Sequence, residues 1–316
     1  MSLWHRRDVP LKFQIGDWTA FRVNLPLHVR AVQLTERLPP ADSPTPPAGH
    51  DTGDAAGYFI HSLPVSTRLP TLSVDGDYIR YVPIQYSHCY VDLSIGAEAY
   101  RNKFSAKTRS TITRKVRKFK EHCGGQLRWS TYSTPEAMPE FHRLARMVSA
   151  RTYQERLLDA GIPNDNKFVD NMITLAAEGQ VRGYILFAGE EAVSYLYCPA
   201  KFGTLIYAFL GYDPEYMNLS VGTVLQWLAL EQLFQEQRFA FFDFTEGQSE
   251  HKRLFATHDI PCANVMFVRY TFARLVLLRA HALTNRLSSA AGNLAARWGL
   301  KASLRRMLRF GWSGSR

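Results

Sequence analysis

The chain has 316 residues, 46% of them hydrophobic and 13% aromatic, which is ample for packed cores and excludes a globally disordered protein. Its 38 Lys and Arg against 28 Asp and Glu give a formal charge of +10. The excess is concentrated, because residues 99–120 and 260–316 contain no carboxylate; segments of that kind seek phosphate, anionic lipid or an acidic partner surface.

No long apolar run follows Met1-Ser2-Leu3-Trp4-His5-Arg6-Arg7, so no secretory signal is expected. Phe13-Gln14-Ile15 and Trp18-Thr19-Ala20-Phe21-Arg22-Val23 suit strands. Residues 38–50, rich in proline, predict a flexible surface loop, since proline supplies no backbone donor. Gly57-Tyr58-Phe59-Ile60, Tyr78-Ile79-Arg80-Tyr81-Val82 and Tyr90-Val91-Asp92-Leu93 read as further strands of a small N-terminal domain ending near Gly96. Cys89, Cys123, Cys198 and Cys262 lack CxxC spacing, which argues against a zinc site or a disulfide scaffold and fits a reduced, cytoplasmic setting.

From Phe104 the period turns helical. Phe104, Thr108, Ile112, Val116 and Phe119 make an inward stripe, with Lys107, Arg114, Lys115 and Lys118 outward and Cys123-Gly124-Gly125 ending the helix. A strand over 126–132, helices over 139–157 and 167–178, and strands over 181–187 and 192–197 joined by a hairpin turn follow, with a third strand over 204–210. Residues 224–236 predict a helix apolar around much of its circumference, buried on two sides. A strand over 239–244 follows it, and two basic helices over about 271–287 and 290–309 close the chain. The stretch from Phe272 to Leu287 is interrupted by Arg274, Arg279 and Arg286 and should not span a bilayer.

The order strand, helix, helix, three-strand meander, helix, strand, polar loop, strand across 126–267 resembles the GNAT acyltransferase fold. Three motifs sharpen the likeness to its CelD- and FemAB-like branch: Phe104-Ser105-Ala106-Lys107-Thr108-Arg109-Ser110; Tyr207-Ala208-Phe209-Leu210-Gly211-Tyr212-Asp213-Pro214 followed by Leu219-Ser220-Val221-Gly222; and Phe242-Asp243-Phe244-Thr245-Glu246-Gly247, leading to His251-Lys252 where the family more often has Tyr-Lys. The resemblance implies an α/β fold with a mixed sheet: a companion domain over 1–100 that is smaller and GNAT-related and a catalytic domain over 101–270; the basic helical tail over 271–316 is read from the sequence and lies outside the resemblance.

It also implies direct transfer of an acyl group from acetyl-CoA or a longer acyl-CoA to an amine or hydroxyl acceptor, without a metal. The donor is expected at Tyr207, Gly211, Ser220, Val221, Gly222 and Thr223, where a helix N-terminus favours phosphate; the other use of Ser220 is as a simple N-cap. Asp243 or Glu246 is the candidate base, Lys252 the candidate for stabilising charge on the thioester or binding phosphate, and His251 a proton shuttle. Lys107, Arg109, Arg114 and Tyr212 are candidate substrate or anion contacts. Acceptors of small-molecule, saccharide or peptide type fit, and an acidic carrier protein, aminoacyl-tRNA or an anionic membrane touched by the C-terminal helices are the other partners open. A binding module without catalysis is the reading from a different class.

Overall fold

The computed structural model describes residues 4–15, 18–47, 53–152, 161–246 and 249–297. It is mixed α/β and divides into two compact units: Met1–Ser87 with Ile260–Arg316, and His88–Asp259.

The first unit opens with a long antiparallel pair, β1 (His5–Ile15) and β2 (Trp18–Ala31), which keep the expected ends at Ile15 and Trp18 but run further back and further on than the two short runs expected. β2 pairs in parallel with β3 (Gly57–Pro64), and β4 (Leu72–Asp75) forms a hairpin with β5 (Tyr78–Asp92). β5 is one continuous strand where the sequence suggested two. The proline-rich stretch makes no ladder, but as far as Pro47 it is not loose: buried Arg80 donates from Nη1 to Ser43 Oγ and to the Pro44 carbonyl. The rest of that stretch, 48–50, lies outside the described residues.

In the second unit, the last residues of β5 lead to α1 (Ala97–Asn102) and α2 (Ala106–His122). The helix expected from Phe104 therefore begins two residues later, where the Ser105 side chain accepts from Thr108 N–H; Ile112 and Phe119 are its buried stripe. β6 (Arg128–Tyr132), α3 (Met138–Ser149) and α4 (Asn166–Ala177) follow, with the predicted extension of α3 over 153–157 outside the described residues. β7 (Val181–Ala188) and β8 (Glu191–Lys201) form the expected hairpin. The third strand is broken into β9 (Thr204–Ile206) and β10 (Phe209–Tyr212). α5 (Val221–Glu236) buries residues on all sides, as its composition requires. β11 (Phe241–Asp243) is shorter than predicted, and a short helix, α6 (Glu250–Phe255), occupies the segment read as polar loop. Strand neighbours in this unit run β5, β11, β9, β8, β7, β6, with β10 also on β8.

The chain returns to the first unit within β12 (His258–Arg269), which pairs with β3. The described residues close with α7 (Phe272–Arg297), which runs unbroken through 288–289 where a gap between two helices was expected; residues 298–309 of the second predicted helix lie outside the described residues. Leu275 and Leu278 of α7 join the core with Val9, Leu11 and Tyr81, and buried His281 Nδ1 lies 2.6 Å from the Tyr81 hydroxyl.

Packing in the second unit leaves no room at Gly183 of β7, where a Cβ would stand 2.7 Å from the ring of fully buried Phe141. Gly183→Ala is expected to destabilise the protein by about 1–3 kcal/mol through overpacking, read as a lower urea midpoint at unchanged m value.

Candidate functional site

The site begins where one strand changes partner. β9 pairs in parallel with β11, Ile206 opposite Asp243, and Tyr207 N–H donates to the Asp243 carbonyl at 2.9 Å. Beyond that point the two chains part. β10 stays on β8, with Gly211 opposite Tyr195 and the Ser194 hydroxyl donating to the Gly211 carbonyl. The chain after β11 stays on β5, where Phe244 N–H donates to the Cys89 carbonyl at 3.1 Å. The result is a wedge with β10 along one side. Backbone groups of an antiparallel strand alternate between its two edges, and Asp213 N–H donates to Val193 O on β8, so the peptide groups of Tyr212 face the open edge.

A 3-10 turn, Pro214–Leu219, capped by Asp213, leads into α5. Ser220 at the junction is left-handed (φ 56°, ψ 37°), and its side chain makes no capping bond. The N-cap reading of Ser220 is thus overturned: a residue in this conformation cannot aim its hydroxyl along the helix as an extended N-cap does. The amides of Val221, Gly222 and Thr223 have no intrahelical acceptor, and these residues with Tyr207, Leu210, Tyr212, Met217, Ser220 and His251 line a cavity of about 230 Å³. Gly222 lets the helix approach β10, since a Cβ there would meet Leu210 and Tyr212 at 3.3 Å. Gly211 has a packing duty instead: its Cβ would stand 2.3 Å from the Tyr195 ring, and it does not line the cavity.

α2 brings positive charge to this helix end. Lys118 Nζ donates to the Asn218 carbonyl at 3.2 Å, and the Lys115 charge is felt by His251. Lys115 is half-buried rather than outward as predicted, and Lys107 and Arg114 are exposed, spaced along the Lys118 flank of α2. Arg109 is not on that flank; its guanidinium donates back to the Phe104 carbonyl at 2.8 Å.

At the wedge's apex, Asp243 Oδ1 accepts from Thr245 N–H at 2.7 Å and lies 2.6 Å from Nε2 of buried His88 on β5. Lys252 is no loose surface cation: its ammonium donates to the Phe244 and Glu246 carbonyls, both at 2.7 Å, pinning the loop that follows β11. Burial foremost lowers the Lys252 pKa, while Cys89, Asp243 and Glu246 oppose that shift. The Glu246 side chain is exposed. His251 Nε2 lies 2.6 Å from Oε1 of fully buried Gln226, so a neutral ring donates from Nε2 and keeps a lone pair on Nδ1. Burial keeps the Tyr207 hydroxyl protonated by raising its pKa.

Of the sequence candidates, Tyr207, Tyr212, Ser220, Val221, Gly222, Thr223 and His251 meet at the cavity, and Asp243, Glu246 and Lys252 meet at the apex. His88, Lys115, Lys118 and Gln226 were missed. His88 shares a strand face with Tyr86 and Tyr90 by period two, and Lys115, Lys118 and His122 share a helix face by spacing of three and four; those alignments were in the sequence. Among the described residues, no group of three His, Cys, Asp or Glu side chains is placed to hold a metal.

His251 ties stability to pH. Burial first, and Lys115 second, lower its pKa below the ordinary 6.5. Below that pH the unfolded ring takes up a proton that the folded ring resists. Its contribution is therefore complete above about 6.5 and is lost as pH falls toward the lowered folded value. His251→Gln is expected to flatten the fall in unfolding free energy between pH about 7.5 and about 5, measured by urea unfolding of both proteins. Comparing the two removes the parallel contribution of His281, whose pKa burial also lowers.

Residues 106–253 match the acetyltransferase (GNAT) domain family. No curated protein matches the chain. Similar solved structures include FemX, at 11% identity and TM-score 0.49, covering 88% of this chain and 90% of that one. L-PGS from Bacillus licheniformis is similar at 12% identity and TM-score 0.43, covering 71% and 72%, and a GCN5-related N-acetyltransferase from Kribbella flavida at 10% and 0.33, covering 62% of each. The stretch from α2 into α6, which carries the strand parting, the helix end and Lys252, thus falls within the match to the acetyltransferase (GNAT) domain family.

Proposed function

We propose that the chain transfers a short acyl group, acetyl first among them, from acyl-CoA to an amine or hydroxyl acceptor by direct attack. The observation that carries this reading is the parting of β9 and β11 at Tyr207 and Asp243 beside the N-terminus of α5. An extended amide-bearing arm is the chemistry that completes an open strand edge such as that of β10, and a pyrophosphate suits the free amides of Val221 to Thr223 with Lys115 and Lys118 close by. The rings of Phe242 and Phe244, both fully buried, lie 6.0 and 5.5 Å from that of Tyr207 and back the wedge, which favours a short acyl chain.

In this reading the acceptor nitrogen attacks the thioester carbonyl, forming the new C–N bond as the C–S bond breaks. The nitrogen's proton passes to Asp243, whose Oδ1 is occupied by His88 and Thr245, leaving Oδ2 to accept it. His88 acts by fixing the carboxylate, and the Tyr207 hydroxyl, which burial keeps protonated, donates a hydrogen bond to the leaving thiolate, which takes its proton from water. Lys252 serves indirectly, holding the loop after Asp243 in place.

Thermal shift with CoA, acetyl-CoA and longer acyl-CoAs tests the donor. A ligand at about 100 times its Kd adds roughly 2.7 kcal/mol, a rise of several degrees. The rise is expected to be smaller for Lys115→Gln/Lys118→Gln. Absence of any shift with every CoA would remove this donor and turn the search to aminoacyl-tRNA or a carrier protein.

Asp243→Asn preserves shape and an acceptor for His88, and is expected to lower kcat about 10²- to 10⁴-fold while donor affinity stays unchanged. Full activity in this variant would transfer the base role elsewhere.

A further inference from the structure

Helix α7 of the first unit presents an outer surface of the wrong chemistry for contact with water. Its inner face is accounted for by Leu275, Leu278 and His281 in the core. At about 100° per residue, Phe272, Val276, Arg279, Leu283, Arg286 and Leu287 fall in one outward stripe some 100° wide. The four apolar members are half to three-quarters exposed, at 75%, 50%, 58% and 57%. The adjoining outward positions are Ala273, Ala280 and Thr284. A helix on a water-facing surface carries charged and polar residues there; this one carries only arginines as charges, along one border.

Beside that border lies an open groove of about 740 Å³, floored by Leu69, Leu72 and Ala282 and edged by Arg68, Arg279 and Arg286. None of these three guanidiniums is paired with a carboxylate among the described residues, and the sequence holds no Asp or Glu from residue 260 onward to supply one.

We propose that this face docks on an anionic bilayer, with α7 lying in the interface, its Phe, Val and Leu side chains in the acyl boundary, and Arg68, Arg279 and Arg286 on lipid phosphates. The proposal is independent of the acyl-transfer reading. Three observations select this occupant. The apolar side chains stand out from a convex helix, which suits a deformable apolar phase. The arginines flank them at the depth of headgroups, where their long apolar stems reach along the helix. A second copy seated by two-fold symmetry on this same face would offer these arginines no carboxylate, since α7 carries none. No helix among the described residues is long and apolar enough to cross a membrane, so the contact is with one leaflet.

The test is co-flotation of the full chain with vesicles of phosphatidylglycerol and phosphatidylcholine, and with phosphatidylcholine alone. Binding is expected only to the anionic vesicles and should weaken as salt rises from about 0.1 M to about 0.5 M. Arg279→Gln/Arg286→Gln is expected to lower the partition coefficient about 30-fold, from the usual contribution of two basic residues near such a surface. Leu283→Gln/Leu287→Gln should lower it roughly tenfold or more. Both pairs are exposed, so melting temperatures should match the parent, and circular dichroism confirms folding.

Lack of binding to anionic vesicles overturns the proposal, as does binding that neither double variant weakens. Should the chain instead form a dimer in sedimentation that Leu283→Gln/Leu287→Gln dissolves, with no affinity for vesicles, the face is a self-interface and the proposal fails.

Discussion

The second unit depends on a competition for backbone partners. β9 and β11 share three residues of parallel ladder, and then β8 retains the continuation of one while β5 retains the continuation of the other. Each side is fixed by its own contacts. On the β8 side, Gly211 sits so close to Tyr195 that no side chain fits between them; on the β5 side, His88 and Thr245 hold the Asp243 carboxylate. Among the described residues no strand pairs with the other edge of β10, and an unpaired edge is costly unless something completes it. The wedge thus stores an incomplete set of hydrogen bonds in a form that a ligand can complete.

The positive character of the site comes from several modest sources. The helix N-terminus supplies partial charge through amides that cannot find partners within α5, and Lys115 and Lys118 add whole charges from a neighbouring helix. Lys252, the most conspicuous cation of the sequence motif, spends its donors on two carbonyls of its own loop. Those two bonds tie the backbone just after Asp243 to α6.

Much of this was legible in the sequence because it is local. The hairpin of β7 and β8 follows from two apolar runs joined by the turn at Gly189, the buried α5 from apolar residues on every side, and the wedge motif from its order along the chain. What could not be read was partner choice. Residues 204–212 form one extended run by composition, and nothing within them says that β11 leaves at Tyr207. Ser220 reads as an N-cap by residue type, yet takes a left-handed conformation because the 3-10 turn delivers the chain at that angle. His88 looks like any polar residue on a strand until β11 places Asp243 against it, across more than 150 positions of sequence. The single α7 also escaped, since Ser288, Ser289 and Gly292 weaken the local helical signal that tertiary burial at its start restores.

The first unit is discontinuous, built from both ends of the chain, whereas the second is one uninterrupted segment. During synthesis this imposes an order. The GNAT segment is complete and free to fold while β3 still lacks its partner β12 and the core around Val9 and Leu11 still lacks α7. The closing contacts of the first unit span some 200 positions and carry the largest loop-closure entropy in the molecule. Until α7 docks, β1 and β2 expose the apolar surface that it covers, so a ribosome stalled before residue 272 would hold a finished catalytic fold attached to an adhesive, half-built sheet. Docking of α7 is therefore the step that hides this apolar surface of the nascent chain.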